Sequence, residues 1–274
     1  MTTPTAIRRL RHQTDLEDWR EDNPHFAGTL AKGLMILQCF VTEPRPHANS
    51  ELSDKLGIPR PTVTRLCQTL QALGYLDHDA RLDRYFIGPA AVALGYPYVI
   101  ATPLLAHIRP AMQALALSIE GAVSVGVTID LDVIYIESMV HEQGTLMRPA
   151  VGAVRGVVET AMGRAWLGSL NAEQRRAFLA RVEQARPQEI ERCRAGLQAS
   201  LATLAQHGFS TNYGDSGYGV HAVGVASRIP YGSRQLLFNC AVPGHRLKPK
   251  ELVQRLGPRL VDLVAFAERQ NSLR

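Results

Sequence analysis

The sequence predicts an α+β fold in two domains, and three observations predict it. The 274 residues suit two modest domains or one large one. Between residues 26 and 89 the apolar pattern runs through three helical stretches and then changes to a period of two, as three short helices followed by a hairpin would. Beyond residue 104 strand-like segments occur in antiparallel pairs interleaved with helices. Four regions are expected: a mobile arm over 1–25, the helices and hairpin over 26–89, a linker helix over 90–103, and the α+β domain over 104–271.

Residues 1–25 are polar and of mixed charge, which is the basis for the arm. From Gly28, the residues Leu30, Leu34, Leu37 and Val41 recur at helical spacing, and the helix should end before Pro44 and Pro46. Asn49 is a suitable N-cap for a second helix carrying Leu52 and Leu56, which Gly57 closes. Ile58-Pro59-Arg60-Pro61 is a tight turn into a third helix that ends at Gly74. Tyr75-Leu76 and Tyr85-Phe86-Ile87 read as strands around a polar turn, Asp77 to Asp83, so the whole is a winged helix-turn-helix.

Pro97 and Pro103 punctuate the linker helix. An amphipathic helix with Leu104, Ile108, Met112, Leu115 and Ile119 follows. Strands are expected over 122–129 and 133–139, around Asp130-Leu131-Asp132, and over 220–229 and 235–242, around Tyr231-Gly232-Ser233. Helices are expected over 160–170, 172–182 and 189–206, and over 249–270 with a break near Pro258.

Net charge is +5, but it is not an argument for a nucleic-acid partner. Residues 1–103 carry eleven Lys/Arg and eleven Asp/Glu, whereas residues 104–274 carry nineteen and fourteen. The excess therefore lies outside the helix-turn-helix, and local placement has to carry the case. On the third helix Val63, Leu66, Leu70 and Leu73 form one stripe, expected to face inward. The opposite face presents Arg60, Thr62, Thr64, Arg65 and Gln68, side chains suited to base edges in a major groove. No carboxylate lies between Arg60 and Leu76 to repel phosphate. Arg81 and Arg84 on the wing, and Thr29 and Lys32 at the start of the first helix, are further candidate DNA contacts. The alternative is an ordinary helical bundle with a solvated polar face.

The four cysteines are far apart and form no Cys-x-x-Cys pair, which argues against zinc and disulfide frameworks. No metal or cofactor is expected. There is no apolar run of about 18 residues or more and no signal-peptide core, so a cytoplasmic protein without membrane partners is expected.

Several segments, in order, resemble the IclR family of bacterial transcriptional regulators. Lys32-Gly33-Leu34 with Ile36-Leu37 resembles that family's opening helix, and Gly57 to Leu66 its helix-turn-helix. Leu73-Gly74-Tyr75-Leu76 and Tyr85 to Pro89 resemble the borders of its wing. Thr160-Ala161-Met162-Gly163-Arg164-Ala165 resembles its Thr-Ala-x-Gly-Lys-Ala segment, with Gly219-Val220, Pro243 and Arg246 in register. The resemblance spans roughly residues 28–270. It implies a C-terminal GAF-like or profilin-like effector-binding domain, homodimers or homotetramers, a palindromic double-stranded DNA operator, and a small-molecule effector, often an organic acid or aromatic compound. Activators and repressors both occur in the family.

The resemblance also implies where the effector sits: at the start of the helix at Thr160, with residues of the later strands. A helix N-terminus offers unpaired amides and suits a carboxylate. The candidates are Thr160, Ala161, Met162 and Gly163, with His221, Ala222, Asn239 and Ala241 on the strands. Thr160 serving only as an N-cap is the plainer reading, as is a core role for Met147 and Trp166. Glu159 stands where the family often has cysteine, and Asn212-Tyr213-Gly214-Asp215 replaces an acidic stretch. With Ala222 and Ala241 at positions elsewhere polar, a larger, partly apolar ligand such as an aromatic acid is expected.

Two other classes compete. An enzyme would need a nucleophile and base, yet Asp215, Ser216 and His221 lack a Gly-x-Ser-x-Gly elbow, and the histidines show no metal spacing. A ligand-free DNA-binding protein would use its second domain only to dimerise. For a ligand-responsive protein, the linker over 89–103 is expected to carry the signal between domains.

Overall fold

The computed structural model describes residues 16–17, 23, 25–141, 151–217, 219–232 and 234–272. Most of the expected arm, together with Met147, Arg148, Tyr218 and Ser233, lies outside them. Contacts divide the chain into two units, Met1–Ala101 and Thr102–Arg274.

In the first unit, α1 (Gly28–Thr42), α2 (Asn49–Leu56) and α3 (Arg60–Ala72) precede a two-stranded wing, β1 (Leu76–Asp79) and β2 (Arg84–Ile87), and a further helix, α4 (Ala90–Ile100). The wing pairs Leu76 with Ile87 and Asp79 with Arg84. Gly57 closes α2 at φ +67°, in the left-handed region that a residue with a Cβ enters only at a cost. The core holds Met35, Ile36, Cys39, Phe40, Leu52, Ile58, Val63, Leu66 and Leu76.

Three expectations are corrected here, and the buried face of α1 is set by the structure. Leu16, assigned to the mobile arm, is buried in this core. The stripe that marks α1 in the sequence is not the face it buries: Leu30, Leu34 and Val41 are exposed, while Ala31, Met35, Ile36 and Cys39 turn inward. Leu73 lies past the end of α3 and is exposed, because the helical stripe stops where the helix does. The N-cap of α2 is Ala48 rather than Asn49, since the Glu51 carboxylate reaches back to the Ala48 amide at 3.0 Å and does the capping.

The second unit is a six-stranded antiparallel sheet in the order β5-β4-β3-β8-β7-β6. The strands are β3 (Ala122–Ile129), β4 (Asp132–Val140), β5 (Val154–Gly156), β6 (Ser210–Tyr213), β7 (Val220–Ala226) and β8 (Leu237–Pro243). The short β5 and β6 were not expected. One face packs on α5 (Pro103–Ile119) and on the C-terminal helix α10 (Gly257–Ser272), through Val123, Val125, Val223, Phe238, Cys240 and Val242. The short α9 (Pro249–Glu251) and a π turn (Leu252–Leu256) precede α10, which places the expected helix break just before Pro258. The other face packs on α6 (Ala161–Ser169), α7 (Ala172–Ala185) and α8 (Pro187–His207), through Val133, Tyr135, Met162, Leu167, Phe178 and Leu237. Trp166 meets Phe178 edge to face in this core, the plainer of its two expected roles.

Candidate nucleic-acid interface and ligand site

Helix α3 buries Val63, Leu66 and Cys67 and leaves Arg60, Arg65 and Gln68 exposed, with Thr62 half-buried beside them. Thr29 is exposed and Lys32 half-buried on α1; Arg81 is exposed at the wing tip. That tip is shaped by Asp79, whose carboxylate accepts from the amides of Arg81 (2.8 Å) and Leu82 (3.3 Å).

Two of the candidate contacts are engaged inside the domain. The Thr64 hydroxyl donates to Arg60 O at 3.0 Å and accepts from Asn49 Nδ2 at 2.9 Å, so it ties α3 to α2. Arg84 Nη1 donates to the Glu51 carboxylate at 3.0 Å and to Pro46 O at 3.2 Å, so it ties the wing to α2. Residue type alone marked Arg84 as a free cation; the carboxylate that claims it is 33 residues away in sequence. Glu51 also meets Arg45 at 3.1 Å. The Ala48 amide foremost, with Arg45 and Arg84 beside it, holds the Glu51 carboxyl down at about 2.

In the second unit the Thr160 side chain accepts from Gly163 N at 3.0 Å, and Arg164 N donates to Thr160 O. The first two amides of α6, on Ala161 and Met162, lie outside the helix's own ladder. The start of α6 sits directly on the sheet. A Cβ on Gly224 would lie 2.3 Å from Ala161 C and 2.4 Å from Met162 N, so only glycine permits this approach. Ser210 Oγ donates to Ala161 O at 2.5 Å. Beside this contact Ala161, Ala222 and Ala241 form a small buried cluster, separate from both large cores.

Arg164 fixes this arrangement, and the sequence reading missed its role. It is 1% exposed and donates to Val158 O (2.9 Å), Thr211 O (3.0 Å) and Asp215 Oδ2 (2.6 Å). One available signal was a long cation set among Ala161, Gly163 and Ala165, where small residues mark a helix pressed against its neighbours. Glu159, which would repel an acidic ligand, is directed to Arg192 on α8. Asn212 Nδ2 donates to Glu159 O at 2.7 Å, and its Oδ1 accepts from the amides of Gly214 and Asp215.

His221 does not join the other ligand candidates. Successive side chains on a strand point to opposite faces. Ala222 pairs with Ala241 across β7 and β8, whereas His221 pairs with Val242, on the face packed by α5 and α10. Its Nδ1 lies 3.0 Å from Leu247 O, and its ring meets Tyr213 edge to face. Asn239 does share the alanine face, two residues along β8 from Ala241; it is 4% exposed and its Oδ1 has no partner. Ser124 and Ser138, not singled out in the sequence, lie across from Asn239 and from each other in the ladder.

The chemistry on offer is recognition. The four cysteines are buried free thiols, and burial pushes Cys67 up to about 12, which keeps it from acting as a nucleophile. Among the described residues no group of three or more His, Cys, Asp or Glu is placed to hold a metal ion, and no single helix is long and apolar enough to cross a membrane.

Comparison with known proteins agrees with this geometry. The IclR helix-turn-helix domain family matches residues 29–80, and the bacterial transcriptional regulator IclR C-terminal family matches residues 97–264. The Pca regulon regulatory protein of Pseudomonas putida is 26% identical over 241 residues, 87% of this chain and 82% of that protein. The transcriptional regulator TsaQ1/TsaQ2 of Comamonas testosteroni is 26% identical over 258 residues, 92% and 91% of the two chains. The crystal structure of an IclR family regulator from Brucella abortus superposes with a TM-score of 0.83 at 28% identity, covering 98% of this chain and 99% of that one. An IclR homologue from Microbacterium hydrocarbonoxydans, complexed with 4-hydroxybenzoate, shares the fold with a TM-score of 0.67 at 16% identity, covering 90% and 100%. The chain belongs to the IclR family: it is a transcriptional regulator, not an enzyme, with a DNA-binding helix-turn-helix and an effector-binding domain.

Proposed function

We propose that this regulator binds a palindromic operator as a homodimer, or as a homotetramer built from such dimers, and that a partly apolar organic acid, an aromatic acid foremost, sets its affinity for DNA. It acts on cytoplasmic DNA. The DNA contacts are Arg60, Thr62, Arg65 and Gln68 on α3, with Thr29, Lys32 and Arg81 on phosphates; Thr64 and Arg84 hold the reading helix and wing in place. A second copy covers α4, which buries none of its residues and exposes Val92, Leu94, Tyr96 and Ile100. Dimers place two reading helices on successive half-sites, hence the palindrome.

The observation that carries the effector reading is the start of α6. The amides of Ala161 and Met162, outside the helix's own ladder, suit a carboxylate, and the Ala161, Ala222 and Ala241 cluster beside them offers an apolar wall. The connection over 89–103 transmits occupancy to the DNA-binding unit.

The test is a mobility shift with the intergenic DNA beside the protein's own gene, with and without a panel of aromatic and aliphatic acids. The panel includes 4-hydroxybenzoate, the compound bound to the Microbacterium homologue. One acid that alters a specific shift supports the reading. A specific shift that no acid in the panel alters overturns the acid effector and favours a DNA-binding protein without a ligand. Arg65→Ala should weaken specific operator binding by about 1–3 kcal/mol if the guanidinium reads a base. Unchanged affinity removes Arg65 from the contacts.

A further inference from the structure

We infer that Ser124, Ser138 and Asn239 form a second polar subsite of the effector pocket, one that selects ligands bearing a hydroxyl group. The inference rests on the reading that the ligand's carboxylate meets the start of α6.

The three side chains lie on one face of the sheet. Asn239 pairs with Ser124 across β8 and β3, and Ser124 pairs with Ser138 across β3 and β4. On its other side Asn239 pairs with Gly224, the residue on which the Ala161–Met162 backbone rests. The row therefore begins one strand spacing, about 5 Å, from the amides assigned to the carboxylate, and runs away from them. All three residues are at least nine-tenths buried.

Their hydrogen bonding is incomplete in a specific way. The two serine hydroxyls meet at 3.0 Å. That contact uses one hydroxyl hydrogen and leaves the other without a protein acceptor. Asn239 Oδ1 is buried and accepts from nothing. Asn212, on the same face two strands away, is satisfied at both ends of its amide. A buried amide oxygen without a partner costs free energy, so an asparagine kept there points to a partner that arrives with the ligand. A hydroxyl matches what is missing, because it donates to Asn239 and accepts from the serine pair. It also matches if the asparagine amide is rotated by half a turn, since it both donates and accepts. A hydrogen, a methyl or a chlorine in the same place leaves Oδ1 unpaired.

The test is calorimetric titration of the full-length protein with matched pairs: benzoate against 2-, 3- and 4-hydroxybenzoate, and succinate against malate. At least one hydroxylated member should bind roughly ten- to a hundredfold more tightly than its parent, the usual range for one buried hydrogen-bonding group left unpaired. In Asn239→Leu that advantage should fall to within about twofold. The variant should melt no lower than the parent protein, because it removes an unsatisfied polar group rather than a contact. Ser124→Ala should reduce the advantage in part. Equal binding within every pair overturns the subsite and leaves the acid site standing, as does a hydroxyl preference that survives in Asn239→Leu. Failure of every acid to bind, in protein that still shifts its operator, overturns the acid site and the subsite together.

Discussion

The N-termini of α2 and α6 are built from opposite materials. Helix α2 supplies its own anion: Glu51 reaches back to the Ala48 amide and is held there by Arg45 and Arg84 on a half-exposed surface. Helix α6 supplies no anion. Thr160 caps one amide, Arg164 is buried in its first turn, and the carboxylate nearest in sequence, Glu159, is turned to Arg192. A helix start closed by its own carboxylate is a structural joint, here between the wing and α2. One left with a neutral cap puts no carboxylate of its own on its first amides, which is what the proposed acid site requires. The anchoring also differs, since losing one member of an exposed ion network costs little, whereas removing a buried arginine strands the groups it pairs with.

The largest effect that would test this contrast is at Arg164. Arg164→Ala removes donors to two buried carbonyls and strands Asp215, so it should destabilise the effector-binding domain by about 3–5 kcal/mol. Urea unfolding followed by circular dichroism measures this. A loss under about 1 kcal/mol would mean that the buried arginine is not what fixes α6, and the contrast with α2 would fail.

Thr160 comes next. Thr160→Ala should cost about 1 kcal/mol through the lost cap on Gly163 N, and Thr160→Ser should restore it. If the same hydroxyl also meets the ligand, acid binding in the alanine variant should weaken further than a melting-matched control. If binding is unchanged while stability drops, Thr160 is a cap alone and the site rests on the backbone amides.

The same contrast explains what the sequence disclosed. Local signals were legible: Gly57 closing α2, the change of period at Tyr75, the Thr160 segment opening α6, and a carboxylate-free α3. What was hidden depends on pairings distant in sequence. Nothing near Arg84 announces Glu51, and nothing near Arg164 announces Asp215, 51 residues on. The stripe Leu30, Leu34, Leu37, Val41 locates α1 correctly yet suggests the wrong buried face. Exposed apolar residues here carry the same period as the core. His221 was grouped with Ala222 by position, and strand alternation separates them. Ser124 and Ser138 were invisible because a lone serine in a strand carries no signal until the register sets it against Asn239.

The smallest effect is at α2, and its sign follows from Glu51. The folded carboxyl sits at about 2, below its ordinary 4.5. A depressed value means that the charged form favours the folded state. The contribution is complete above about pH 5 and is lost as pH falls through 4.5 towards 2. Glu51→Gln should therefore leave a protein whose stability changes less across that window than the parent's, read as the pH dependence of the melting temperature between pH 5 and 3. It should also weaken DNA binding, because Arg84 loses the carboxylate that ties the wing to α2, and Arg84→Ala should do the same without touching the cap. If Arg84→Ala leaves the DNA affinity intact while Arg81→Ala lowers it, the wing needs no anchor and reaches DNA through its tip alone. If Arg84→Ala lowers affinity in proportion to the salt dependence it removes, the guanidinium meets phosphate, and the closed joint at α2 opens when DNA binds.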